Sequence, residues 1–585
     1  MTERPINSIL AADFGSVNTR VLLFDVVDGE YRLVAQGKSR TTIGSPTDDV
    51  HAGFSNVLSE ITQASGRRFL DEEGGLIRPE QADRVGVDYY LTTASAGPPT
   101  RAVLAGLYEG QDIAAVRRAI TPFYIDVVAA VHLDDGLGPQ GRLNRIVHSR
   151  PQLILITGGT DGGARTVLLE LLAVVRQAVS LMTVGRRPAV VYAGNSSLTA
   201  SVREMLSQHV EVLIAPNIRG RGGINLEGLQ RALAGVYGES RGRSKSYKQV
   251  AAMSDSGIQP SARGVETMTA FFSRQVSGAV FAIDFGSARS QISLARRGTT
   301  RTLVRNDIGV GHSAASTLDR VGEAAVADWL PFHPRRDELA QYVLDKGLRL
   351  DSVPLDMRER YIEYALLRAG IRAMLAELNA GTSDASDPAQ ADLVLLAGAT
   401  IIGSGTGALD MLLLADALAC EGILQVKADP YGALAALGSL AAVEPRAVVQ
   451  LLNNNVLENV GTLIRVTGSG SGGVASTISV RRQNGERLDR EVAVGDVWHL
   501  PVPARASVEL RIQARRGLSI GGKRRLRLEL RGGRGGVLFD ARLDAIKSAS
   551  TMTERAVNML RWFAAVTDQD KPVVIPESWL AGPET

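Results

Sequence analysis

Two aspartates head near-identical strings, Asp13-Phe14-Gly15-Ser16 and Asp284-Phe285-Gly286-Ser287, one in each half of the chain. A carboxylate beside a glycine turn and a hydroxyl suits phosphate chemistry. The carboxylate can order a hydrated Mg2+, and a sharply bent backbone can turn its N–H groups toward phosphate oxygens. Read that way, Asp13 and Asp284 hold Mg2+ through water. Gly15, Ser16, Asn18 and Thr19 in the first loop, and Gly286 and Ser287 in the second, bind a nucleotide's phosphates. One such string alone is an ordinary hairpin turn; two near copies, each after an apolar run, point to a loop used twice.

The elements that must position these residues follow from the flanking patterns. Ser8–Ala12 and Ala279–Ile283 are apolar runs entering the two loops, and Val21–Val26 and Ile292–Leu294 leave them, so each loop joins two antiparallel strands. Apolar residues at helical spacing predict a helix from Val50 to Ala64, and Asp88–Ser95 reads as a further strand. From about 100 to 250 the pattern becomes strand–helix alternation. Gln152–Ile156 is an unbroken apolar run, as in a buried parallel strand, and ends in Thr157-Gly158-Gly159-Thr160-Asp161-Gly162-Gly163. Ligands of such doubly wound sheets bind at the carboxyl ends of the strands. Asp161 is the candidate catalytic residue there, although a carboxylate opening a helix also serves as a cap for its N–H groups. Residues 240–262 are polar and aperiodic, which predicts a linker or mobile loop. Leu393–Gly405 reads as a strand running into a glycine loop, Tyr431–Ala441 as a small-residue helix, and the chain after 448 as short strands between Gly and Ser clusters.

Composition bounds the rest. At 585 residues, with 45% hydrophobic and 22% charged side chains, the chain is a globular protein of several domains. The single cysteine, Cys420, rules out an internal disulfide and a Cys-cluster metal site, and its apolar setting predicts a buried residue in a reduced, cytoplasmic protein. The longest apolar region, Leu393–Leu424, is broken by glycines, Asp410 and Asp416, so no membrane span is expected. The seven histidines lack ligand spacing. The net charge of +3 hides a basic stretch from Arg505 to Lys547, where Arg525, Arg527 and Arg531 alternate onto one strand face. A solvated sheet face is one reading of it, and a patch for an acidic partner the other.

The order of parts resembles the actin, sugar kinase and heat-shock chaperone superfamily: an N-terminal phosphate loop, a helix leading into a second loop, then a strand, a glycine loop and a small-residue helix. That resemblance implies a duplicated actin-like (ribonuclease H-like) ATPase fold, with Gly398, Gly403 and Ser404 against the adenosine. Leu155–Gly163, Val191–Asn195, Thr93–Gly97, Asp307–Val310 and Asp429–Tyr431 narrow it. Over roughly 7–445 they resemble the glutamate (methylaspartate) mutase accessory proteins of the GlmL/MutL type. The expected domains are a first actin-like subdomain (1–98), an inserted α/β domain (99–250), and a second actin-like subdomain (251–447). A β-rich barrel or sandwich (448–548) and a helix with tail (549–585) complete them.

The resemblance implies an ATP- and Mg-binding accessory or reactivating chaperone whose client is an adenosylcobalamin-dependent mutase, with self-association among its expected partners. Two departures bear on turnover. The family's second loop usually continues Gly-Gly-Ala-Thr-Thr-Asp, where this chain has Gly286-Ser287-Ala288-Arg289-Ser290-Gln291, and Arg20 stands where a lysine is expected. Slow or absent hydrolysis is therefore expected, a weak ATPase at most, and the alternative is a catalytically weak actin-fold scaffold that assembles with itself or a partner. A small-molecule kinase is a third reading, disfavoured because no substrate base stands out.

Overall fold

The computed structural model describes residues 5–44, 47–220, 223–350, 352–380, 391–398, 406–470, 472–543, 549, 551–567, 575–576 and 579. The chain forms two compact units, Met1–Gly264 and Val265–Thr585.

In the first unit, β1 (Ser8–Phe14), β2 (Asn18–Val27), β3 (Glu30–Arg40) and β4 (Tyr89–Ala94) precede a second group, β5 (Thr100–Ala105), β6 (Ile125–Val131), β7 (Leu153–Ile156), β8 (Ala189–Tyr192) and β9 (Val212–Ile214). A short hairpin, β10 (Arg219–Gly220) and β11 (Gly223–Ile224), and then β12 (Ile258–Pro260) complete it. One sheet has the order β12-β4-β1-β2-β3. β1 is antiparallel to β2 and parallel to β4, and β4 is parallel to β12. β1 is buried almost end to end because both its faces are covered, whereas the edge strand β3 alternates between exposed and sheltered residues. The helix Val50–Ser65 buries Val50, Phe54, Val57, Leu58 and Ile61, one stripe at helical spacing. Asp49 caps its first turn through the His51 N–H.

The second unit opens with β13 (Ala279–Phe285), β14 (Ser290–Arg296) and β15 (Thr299–Arg305), followed by β16 (Ala391–Ala397) and β17 (Gly422–Ala428). Their order, β15-β14-β13-β16-β17, and their directions repeat the first unit's sheet strand for strand. The fold is thus the duplicated actin-like one, and the two loops fall at the same place in it, between the first and second strands of each copy.

The strand-rich region after 448 divides between two sheets. β18 (Glu458–Arg465) pairs antiparallel with β17. Then come β19 (Thr467–Gly468), β20 (Val474–Arg482), β21 (Arg487–Ala493), β22 (Val497–Leu500), β23 (Ser507–Ala514), β24 (Leu518–Ser519), β25 (Arg525–Arg531) and β26 (Gly536–Asp540). β26 and β22 join β18 and lengthen the actin-like sheet to eight strands, while β21-β20-β23-β25 form a separate four-stranded sheet. The buried face of the smaller sheet, with Ile478, Val480, Leu510 and Ile512, packs with Ile464, Val537 and Phe539 of the extension in one apolar core. Its other face carries the exposed Arg511, Arg525, Arg527 and Arg531, with Glu509 paired to Arg511 and Arg527. The glycine string at 532–536 is the turn between β25 and β26, and its Arg534 pairs with the buried Asp410.

Two expectations change. Residues 240–262 are built into the fold rather than forming a linker. The helices Leu226–Arg243 and Lys248–Met253 and strand β12 occupy them. Their polar residues are used internally: the buried Arg241 donates to the Pro98 carbonyl and lies over the Tyr237 and Tyr247 rings. Cys420 is buried as expected, but it lies just past the helix Gly407–Leu418 rather than within it. Burial pushes its thiol pKa up to about 11, which leaves it protonated and unreactive.

A fully sheltered charge network knits the second unit's core. Arg542 pairs with Asp540 (2.9 Å) and Asp416 (2.8 Å), Arg368 pairs with Asp416 (2.8 Å), and Arg542 lies over the ring of Trp562. Among the described residues, no helix is long and apolar enough to cross a membrane.

Candidate functional site

The two aspartate loops have the same backbone. In the first, the Gly15 N–H donates to the Asn18 carbonyl at 3.0 Å; in the second, the Gly286 N–H donates to the Arg289 carbonyl at 3.0 Å. The strands close just outside these bonds, with Phe14 opposite Thr19 and Phe285 opposite Ser290. Phe14 and Phe285 are completely buried and anchor each loop from below. What stays at each tip is a pair of consecutive N–H groups, Ser16 and Val17 in one and Ser287 and Ala288 in the other, with no hydrogen-bond partner among the described residues. Adjacent N–H groups left open in a turn form a concavity suited to an anion.

The surroundings of the loops differ. In the first unit Asp13 Oδ1 accepts from Thr93 Oγ1 and from Ser261 Oγ, each at 2.6 Å, while Oδ2 accepts nothing from the described residues. A carboxylate held by one oxygen and open at the other fits a role in ordering metal-bound water. Ser16 and Asn18 make no side-chain hydrogen bond within the described chain, so both can reach a ligand. Thr19 is placed otherwise. It is fully buried, and its hydroxyl meets Thr41 Oγ1 at 3.1 Å, which in turn donates to the Gly15 carbonyl. Thr19 therefore braces the loop from behind.

In the second unit the loop is clamped from the segment after β15. Val310 N–H donates to the Gly286 carbonyl, Gly311 and Ser313 N–H groups donate to the Ser287 carbonyl, and Ser313 Oγ donates to the Ala288 carbonyl. Ser287 Oγ accepts from the His312 N–H at 3.0 Å and lies 3.0 Å from His312 Nδ1. His312 thus adjoins the loop, a neighbour that dispersed histidines in the sequence did not reveal, though the glycine turn at 309–311 next to it was a signal. Partial desolvation holds the His312 ring below its ordinary pKa of 6.5, which favours the neutral imidazole.

Gly398, at the end of β16, adopts φ +98° with the Phe285 backbone against it, so that a Cβ there would overlap the Phe285 carbonyl. Only glycine permits both that backbone and that approach. Gly398 therefore abuts the second loop, next to Asp284, which stands opposite Ala397. Gly403 and Ser404 lie outside the described residues. Among the described residues no cluster of three or more His, Cys, Asp or Glu is grouped to hold a metal ion.

Asp161 does not cap the helix that follows it in the chain. The helix after it starts at Thr166, and Asp161 Oδ1 instead accepts from the Ser196 N–H at 2.9 Å and from Asn217 Nδ2 at 2.8 Å. Gly162, Gly163, Ala164 and Arg165 separate it from the helix, and that slack lets the carboxylate tie the loop after β7 to those after β8 and β9.

A family model described as MutL protein matches residues 9–456. No curated protein matches the chain. Solved structures similar to this chain include nucleotide-free acetone carboxylase, 12% identical over 84% of this chain and 81% of that one, with a TM-score of 0.31. An ATP-dependent caprolactamase from Pseudomonas jessenii is 13% identical over 83% and 81%, with a TM-score of 0.32. The activator of 2-hydroxyisocaproyl-CoA dehydratase from Clostridium difficile, with bound ADPNP, is 10% identical over 75% and 95%, with a TM-score of 0.27.

Proposed function

Because the chain belongs to the MutL protein family, we propose that it is an ATP-binding accessory protein that reactivates an adenosylcobalamin-dependent mutase. The observation that carries nucleotide binding is the pair of open N–H groups at the tip of each equivalent aspartate loop. In this reading the Ser16, Val17, Ser287 and Ala288 N–H groups, with the Ser16 and Asn18 side chains, hold phosphate oxygens. Asp13 and Asp284 orient water on a bound Mg2+, which offsets phosphate charge, and Gly398 with Gly403 and Ser404 receives the adenosine. Ser287 serves by fixing the second loop through His312. The arginine-bearing face of the four-stranded sheet is the surface for an acidic partner or for a second copy.

Calorimetric titration of the full chain with ATP in magnesium tests the reading. Saturable binding that falls with Asp13→Ala supports it, and no binding of ATP or ADP overturns it. The client is tested by adding the protein and ATP to an inactivated cobalamin-dependent mutase and following recovery of mutase activity.

A scaffold with little turnover is the second reading, and Gln291 favours it. Gln291 stands opposite Asp284, where the family's loop ends in a carboxylate; here it is buried and donates to Ser293 Oγ at 2.8 Å. No ionised side chain stands at that position to orient a water. Phosphate release well below about 1 s−1, with ATP still bound, fits this reading; a rate nearer the usual enzyme range, lost in Asp284→Ala, overturns it.

A further inference from the structure

The parallel sheet of the first unit, β6-β5-β7-β8-β9, has the order 2-1-3-4-5 when its strands are counted as the chain makes them. From β5 the chain crosses to one side for β6 and then returns past β5 for β7. The loops leaving β5 and β7 therefore run apart, and open sheets of this order take their ligands in the resulting crevice. A pocket of about 390 Å3 lies there, walled by Gln111 and Arg118 from the first crossing, Thr160 from the loop after β7, and Arg219 and Ile224 from the hairpin after β9. None of the residues 13–19 lines it, so it is separate from the first aspartate loop.

Its chemistry is legible from its partners. Asp112, completely buried, receives the Leu107 and Tyr108 N–H groups on Oδ2 and Arg219 Nη1 on Oδ1. Arg219 Nη1 also meets Gln111 Oε1 at 2.8 Å. One nitrogen of Arg219 is thus fixed, while Nε and Nη2 have no partner among the described residues. Arg118 and the Thr160 hydroxyl have none either. With Asp112 neutralising one arginine, the pocket keeps an excess positive charge. Ile224, 54% exposed, and Ala114 supply apolar wall beside it. An oxyanion beside a small apolar body satisfies both features.

We propose that this crevice binds the phosphate or carboxylate head of a small organic ligand, gripped by Arg118 and Arg219 with Thr160 as a third polar contact. Calorimetric titration of the full chain with inorganic phosphate, FMN and glutarate tests it. FMN carries a phosphate on a flat ring, and glutarate carries carboxylates alone. Binding of at least one probe at about 1 mM or tighter is expected, weakened about tenfold or more by Arg118→Ala. Arg118 is exposed and unpaired, so this variant keeps the fold, and its ATP titration should match the wild type. Phosphate or FMN binding identifies a phosphate ligand, and glutarate alone a carboxylate. No binding by any probe, or equal binding to wild type and Arg118→Ala, overturns the proposal.

Discussion

Ser261 stands 248 residues beyond Asp13 and donates a 2.6 Å hydrogen bond to its Oδ1. With Thr93 of β4 donating to the same oxygen, Asp13 is held from β4 and from the residue that follows β12, neighbouring strands on one side of β1. Asp13→Ala leaves both hydroxyls without their acceptor and should cost about 1–3 kcal/mol of stability. It should also weaken Mg-ATP binding about tenfold or more. Ser261→Ala should lower affinity less, because Thr93 still holds the carboxylate. Urea unfolding and calorimetry measure the two effects; wild-type affinity in Asp13→Ala would remove the first loop from the site.

Gly398→Ala tests the second loop by geometry alone. The new Cβ would overlap the Phe285 carbonyl at a backbone angle side chains rarely adopt, and a loss of about 1–3 kcal/mol is expected. Gly29, with φ +80° and open space around it, is the control: Gly29→Ala should carry only the backbone strain. Equal unfolding midpoints for the two variants would show that the second loop tolerates displacement.

His312 should titrate below 6.5. Desolvation favours its neutral form in the folded chain, so its contribution to stability is fully present above the ordinary value of 6.5 and is lost as pH falls through the lowered folded value. Protonation also adds charge beside the Ser287 hydroxyl. An NMR titration of the ring reads the midpoint directly. A midpoint at or above 6.5 contradicts the desolvated setting.

Burial pushes the Asp540 carboxyl up, but the Arg542 charge and hydrogen bonds, with Arg465, outweigh it and hold the pKa below 3.8. The stability it contributes is present above 3.8 and disappears as pH falls through the lowered value. Asp540→Asn leaves Arg542 buried with half its partners, for an expected loss of about 3–5 kcal/mol at neutral pH. Denaturant midpoints of variant and wild type, compared at pH 7 and at pH values below 3.8, should draw closer as the carboxylate is protonated; a gap that stays constant there would assign the loss to packing instead.

The duplicated loops were legible because apolar runs and the Asp-Phe-Gly-Ser string are local, and local signals survive in sequence. The parallel strand 152–156 and the helix at 50–64 were legible for the same reason. Partners distant in the chain were not. Nothing near Asp13 announces Ser261, and nothing near Thr19 shows that it braces Gly15 through Thr41. Residues 240–262 read as a linker because polarity usually marks solvent, yet Arg241 spends its charge on a carbonyl and two rings. Asp161 looked like a cap because it precedes a helix, and the two glycines after it carried the carboxylate elsewhere.

β26 returns to the actin-like sheet after the four-stranded sheet has been made, pairing with β18 from Gly461–Gly536 to Arg465–Asp540. From there the ladder runs without a break through β17 and β16 to β13, whose end carries Asp284. The C-terminal region is thus not a pendant on a tether. A pull on the arginine face of the separate four-stranded sheet passes through the shared apolar core and the short turn between β25 and β26 into this ladder, whose main-chain hydrogen bonds run on to the second loop. Whatever grips that face holds a handle on the Asp284 loop.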